Sequence, residues 1–175
     1  MIEEIDTEAK FDDIFSSCIV DIGNRNPHFG LGEYDQIALE YFRSMLAKNI
    51  RNPEILPFIK IWAYKHKGEY ISGVCFHCER NPLTTKRVMS ETFWTSGLQY
   101  GAQPELDQTN ESKSFIEKMS LIKLLKHAEK YGEQNYFDYI RMGKVIGAHS
   151  ETLDNFYLKS GYRADSMIFS KRLAK

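Results

Sequence analysis

From Pro57 onward the hydrophobic period of the chain changes from three or four residues to two, and this change constrains the fold more than any other feature. In FIKIWAYKHKG, Phe58, Lys60, Trp62, Tyr64 and His66 fall on one side, with Ile59, Ile61, Ala63, Lys65 and Lys67 on the other. That alternation predicts a strand ending at a Lys67-Gly68 turn. Glu69 to Glu79 reads as its hairpin partner, Asn81-Pro82-Leu83-Thr84 as the next turn, and Arg87 to Thr95 as a third strand. Three successive strands joined by short turns make an antiparallel meander.

Ahead of the meander the period is helical. Residues 6–20 begin with Asp6 and Thr7 as N-cap candidates and place Phe11, Ile14, Phe15, Cys18 and Ile19 on one face. The breaker-rich stretch Asn24 to Gly32 reads as a loop. A second helix is expected from about Tyr34 to Ile50, turning Ile37, Ala38, Tyr41, Phe42, Met45, Leu46 and Ile50 inward and stopping at Asn52-Pro53. No strand is legible in front of these helices.

Behind the meander, Ser96 to Asn110 reads as a long loop, and Glu111 to Tyr131 as the strongest helix, with Phe115, Met119, Ile122, Leu125 and Ala128 inward. Gly132 is the expected C′ residue, with His127 and Lys130 in the last turn to suit the dipole. Asn135 to Arg141 then reads as a fourth strand, followed by a short helix from Ser150 and a last strand from Ser166 to Leu173. The expected class is α+β (mixed α/β). A strand–helix–strand crossover over residues 87–141 sets the third and fourth strands parallel, so the sheet is mixed and mainly antiparallel, flanked by helices. One domain is expected over residues 1–175, helical over 1–56 and carrying the sheet over 57–175.

Composition narrows the function classes. A chain of 175 residues that is 42% hydrophobic holds enough apolar side chain for a core, and a formal net charge of −1 gives no global pull toward nucleic acid or an anionic membrane. No apolar run approaches the roughly 20 residues that span a bilayer, and no basic segment leads into an apolar one. With three cysteines, a disulfide framework is not expected and a reducing cytoplasm is. Cys75 and Cys78, with His77 and His66 nearby, invite a zinc reading. On a strand, however, an odd separation points the two thiols to opposite faces and no second ligand pair follows, so no metal site is expected. Gly143 to Gly147 lacks a phosphate-loop ending, and His149, Ser150 and Asp154 lack a nucleophile elbow; Ser150 is more simply a helix N-cap.

The stretch SETLDNFYLKSGYR, Ser150 to Arg163, carries the pattern that points to a function. Gly161 suits the left-handed residue that terminates a helix, and Tyr162 at C″ folds back on Tyr157 at C3. The pattern resembles the closing motif of the GCN5-related N-acetyltransferases, in which an aromatic-Tyr pair is followed by Lys, a small residue, Gly and an aromatic. Element order is similar over residues 57–175; residue likeness is confined to about 150–163.

The resemblance implies an acetyl-CoA cleft where the third strand of the meander and the following parallel strand separate. Phe93, Trp94 and Thr95 would line the pantetheine arm, while Asn110, Ser112 and Lys113 would meet the phosphates at a helix N-terminus. Tyr157 matches the family tyrosine that protonates the departing thiolate, and Glu91 is the candidate base, acting through water. The loop ahead of Glu111 differs from the family signature. Gln99, Gly101 and Ala102 stand further upstream, and Glu105 and Asp107 repel a pyrophosphate.

Two readings therefore stand. One is an enzyme moving an acetyl group from acetyl-CoA to a primary amine of a small molecule or protein. The other is a degenerate copy of that fold serving as a binding or structural subunit, for example of a viral particle or host-takeover complex, with a protein partner or second copy of the chain. For the latter, His28, Phe29 and Leu31 would form the exposed patch.

Overall fold

The alternation that starts at Phe58 builds the centre of the molecule. A computed structural model describes residues 1–12, 36–51, 55–96, 111–143 and 150–164 of the chain. Its strands are β1 (Ile2–Glu4), β2 (Phe58–His66), β3 (Glu69–Arg80), β4 (Arg87–Ser96) and β5 (Tyr139–Arg141). Its helices are α1 (residues 8–12), α2 (Gln36–Arg51), α3 (Glu111–Gln134) and α4 (Ser150–Lys159). The strands lie in the order β1-β2-β3-β4-β5, antiparallel throughout except for the parallel pair β4 and β5. This is the mixed, mainly antiparallel α+β architecture that the element order predicts, with the crossover through α3 setting the parallel pair.

Two compact units make up the chain, Met1–Arg141 and Met142–Lys175. In the first, Trp62 lies in register with Val74, Lys60 with Phe76 and Phe58 with Cys78. The resulting face is covered by α3. Trp62 sits edge-on to His127 and Tyr131, at 5.2 and 5.1 Å between ring centroids, and 6.1 Å from Phe76. The buried Ser72 hydroxyl donates to Ser120 of α3 at 2.6 Å, satisfying a polar pair that the apolar contact would otherwise strand. The alternate residues Ile59, Ile61 and Ala63 are buried on the other face. Helix α2 packs on β2, burying Met45 and Leu46, and its Asn49 side chain bonds both backbone groups of Ile59. Where β1 ends, that amide continues the edge of the sheet.

Strand β1 is an element that the sequence reading lacked. Glu3 and Glu4 pair with Ala63 and Trp62, and their carboxylates are held by Tyr70, whose hydroxyl donates to Glu3 at 2.7 Å, and by Lys60, 2.6 Å from Glu4. A three-residue strand carries no period, so pairing and these long-range charges form it instead. Turn chemistry was more legible. Lys67 and Gly68 both have positive φ, 49° and 91°, as a two-residue hairpin turn demands. Tyr41, expected inward, is 49% exposed. The fourth strand is shorter than expected, since Asn135 and Tyr136 form a turn and pairing begins at Tyr139.

The end of α3 corrects another expectation. Gly132 lies inside the helix, which continues to Gln134, and neither His127 nor Lys130 is in its last turn. What favours glycine there is packing: a Cβ at Gly132 would stand 3.3 Å from the Met89 sulfur, a tight contact. The left-handed C′ residue is Tyr136, φ 57°, and the N–H groups of Phe137 and Tyr136 close a Schellman pair on Gly132 and Glu133. Because Tyr136 is 83% exposed, little packing offsets its backbone strain. Tyr136→Gly is expected to stabilise the protein by about 1 kcal/mol, raising Tm by about 2–4 °C in a thermal melt. An unchanged or lower Tm would show that the turn is unstrained. The expected early-loop patch at His28, Phe29 and Leu31 and the last strand, 166–173, lie outside the described residues.

Candidate functional site

Strand β4 carries four of the candidate residues on one run of backbone. Pairing with β3 sets Phe76 opposite Glu91 and Cys75 opposite Phe93, so Thr92 is an extra residue and β4 bulges there. Val74 and Gly73 then lie opposite Trp94 and Thr95. On its other side β4 pairs with β5 only from Val88 to Ser90, and it continues to Ser96. The bulge and the end of the parallel ladder thus fall at the same point. No glycine or proline marks the bulge in the sequence, and Thr92 was not singled out. The only local hint is polar: Ser90, Glu91, Thr92 and Thr95 interrupt the strand's apolar alternation.

Glu91 is half-buried beside this bulge. Beneath it the Cys75 thiol is fully buried, and burial pushes its pKa well above the usual thiol range. The neighbouring Cys78 adds to the rise, and so does the Glu91 carboxylate, while a hydrogen bond with Thr92 opposes it. Such a thiol stays protonated and is no nucleophile. Cys78 is likewise buried and raised to about 12, chiefly by burial. Among the described residues no cluster of three or more His, Cys, Asp or Glu could hold a metal ion.

The phosphate-side candidates Ser112 and Lys113 occupy the first turn of α3, where four backbone N–H groups have no partner within the helix. Asn110 and the loop before it lie outside the described residues.

Tyr157 belongs to α4, in the second unit. The helix ends as the sequence pattern predicts. Gly161 takes φ 88°, Tyr162 N–H donates to Tyr157 C=O at 3.0 Å, and Gly161 N–H donates to Leu158 C=O at 3.1 Å. The rings of Tyr157 and Tyr162 pack at 5.7 Å, and Phe156 lies 5.6 Å from Tyr157. In contact with both aromatics, the phenol points its hydroxyl at the backbone, donating to Gly143 C=O at 3.3 Å. An added Cβ at Gly161 would meet nothing within 4 Å, so Gly161→Ala tests the backbone alone. A loss of about 1–2 kcal/mol in urea denaturation is expected, and no loss would mean that this ending does not fix α4.

No protein-family model and no curated protein sequence matches the chain. Solved structures do match it along its whole length. A probable acetyltransferase is 15% identical, with a TM-score of 0.56 over 100% of this chain and 97% of that one. An aminoglycoside acetyltransferase from an uncultured soil metagenomic sample, in complex with sisomicin, is 10% identical, with a TM-score of 0.60 over 99% and 96%. An acetyltransferase of Trypanosoma brucei is 11% identical, with a TM-score of 0.56 over 99% of each. At such identities the likeness is one of fold, and it extends the resemblance of Ser150 to Arg163 to the rest of the chain. The protein has the fold of the GCN5-related N-acetyltransferases.

Proposed function

We propose that the chain transfers an acetyl group from acetyl-CoA to a primary amine, with Tyr157 as general acid and Glu91 as general base. The observation that carries this reading is the coincidence on β4 of the Thr92 bulge with the end of the β5 ladder at Ser90. Among the described residues no strand pairs with Thr92 to Ser96 on the β5 side, so an extended ligand has backbone there to add to, as a peptide adds to a sheet edge. Phe93, Trp94 and Thr95 provide that backbone for a pantetheine arm, and the first turn of α3, with Ser112, Lys113 and the preceding Asn110, suits its phosphates.

Acetyl-CoA supplies an activated acyl carbon as a thioester. The acceptor nitrogen bonds to that carbon as the carbon–sulfur bond breaks. Glu91 takes the surplus proton of the amine through a water molecule, and the Tyr157 hydroxyl gives its proton to the departing sulfur. With reference pKa values near 10 for the phenol and near 8.5 for the thiol, that transfer is uphill by about 2 kcal/mol, small enough for the phenol to serve as the donor. The long Tyr157 hydrogen bond to Gly143 keeps the hydroxyl a donor and is readily exchanged. The acceptor amine belongs to a small molecule or a protein, and the cytoplasm, with its acetyl-CoA and reduced thiols, suits the reaction. Among the described residues no helix is long and apolar enough to cross a membrane. Calorimetric titration with acetyl-CoA is the test. Micromolar binding is expected; no heat at millimolar ligand would overturn the reading in favour of a binding or structural subunit.

A further inference from the structure

A groove between the β1–β2 edge and α3 is lined by none of the candidate residues for acetyl transfer. It is a shallow depression of about 480 Å³, broadly open to solvent. Met1, Ile2 and Tyr64 give it an apolar floor, and His127 with Lys123, Lys126 and Lys130 forms its wall. The three lysines follow one another at spacings of three and four residues, so they share one side of α3 and span about 10 Å of its axis. Lys123 is already held in place: its ammonium donates to the Tyr64 hydroxyl at 3.2 Å and lies 5.3 Å from the ring centroid.

Charge in the groove is not balanced from within. Among the described residues none of the three lysines forms an ion pair. Glu4, the carboxylate of the adjoining strand, is engaged by Lys60 at 2.6 Å. Glu129 and Glu133 of α3 do not line the groove. The His127 imidazole is held below its usual pKa by partial burial against Trp62, with Lys130 adding to the fall and Glu4 opposing it. At neutral pH it therefore offers a hydrogen bond in place of a charge. A chain of net charge −1 thus carries a concave surface with a row of cations over an apolar floor. A row of this length suits several linked anionic groups better than one, and the floor suits a ligand with a less polar body.

We propose that this groove binds a small molecule carrying a polyphosphate group, the nucleoside di- and triphosphates being the class that fits. The site is independent of the acetyl-transfer reading. Titration calorimetry with ATP and with inorganic tripolyphosphate is the test. ATP is expected to bind saturably, more tightly than tripolyphosphate because its nucleoside reaches the floor, and more weakly as salt rises. The combined variant Lys123→Gln, Lys126→Gln, Lys130→Gln is expected to bind both at least about tenfold more weakly. Lys48→Gln, on α2, is expected to bind as wild type does. These lysines are exposed, so circular dichroism should show the variant folded. Undiminished ATP affinity in the triple variant overturns the proposal, as does loss of ATP binding when acetyl-CoA saturates the wild type. Equal affinities for ATP and tripolyphosphate overturn the nucleotide class.

Discussion

Replacing Tyr157 by Phe is expected to lower kcat for acetyl transfer by about 10²–10⁴ while leaving acetyl-CoA affinity within about twofold. The substitution removes one atom. The ring keeps its contacts with Tyr162 and Phe156, and the helix ending depends on backbone groups of Tyr157, Leu158 and Gly161 that the change leaves alone. What is lost is the hydroxyl, with its long hydrogen bond to Gly143. A bond of that kind contributes about 0.5–1.5 kcal/mol of stability at most, so a large rate effect in a folded variant would be chemical in origin. Turnover unchanged from wild type would remove Tyr157 from the role of acid. Weaker acetyl-CoA binding with kcat intact would make it a positioning residue.

The second large effect concerns the sheet. Trp62→Ala is expected to destabilise the protein by about 3–5 kcal/mol in urea or guanidinium denaturation. Trp62 is 2% exposed and touches Phe76 of β3 and both His127 and Tyr131 of α3. Truncation would open a cavity at the junction of two strands and the crossover helix, where the rigid β-sheet backbone relaxes poorly. Against a typical total of about 5–15 kcal/mol, this is enough to leave an appreciable unfolded fraction. Trp62→Phe, which keeps a ring in the same place, should recover most of the loss. A cost under about 1 kcal/mol for the alanine variant would mean that α3 is held by other contacts.

Legibility in the sequence tracked how local each structure's cause is. The meander was readable because alternation at Phe58 to His66 is a direct image of two faces, and Lys67-Gly68 is a turn that announces itself. The ending of α4 was readable for the same reason, since Tyr157, Gly161 and Tyr162 lie within six residues. Strand β1 was not, because its partners Ala63 and Trp62 are some sixty positions away. Gly132 misled: helix-ending chemistry and close packing both call for glycine, and only Met89, from β4, tells which applies.

The candidate site divides along the same line. Tyr157 could be found from its neighbours. The Thr92 bulge that gives Glu91, Phe93, Trp94 and Thr95 their setting has only the faint polar hint of Ser90, Glu91 and Thr92, since it arises from the register between β3 and β4. Ser112 and Lys113 fall in a helix's first turn because α3 is long and begins at Glu111, where the sequence sets its start.

The two cysteines of β3 give the sheet a chemical clock. Alkylating reagents attack thiolates, and Cys75 and Cys78 are both buried and hard to ionise. Both thiols are fully buried, so neither reacts until the packing on the sheet opens. Their modification rate therefore counts openings of the sheet, without any introduced label.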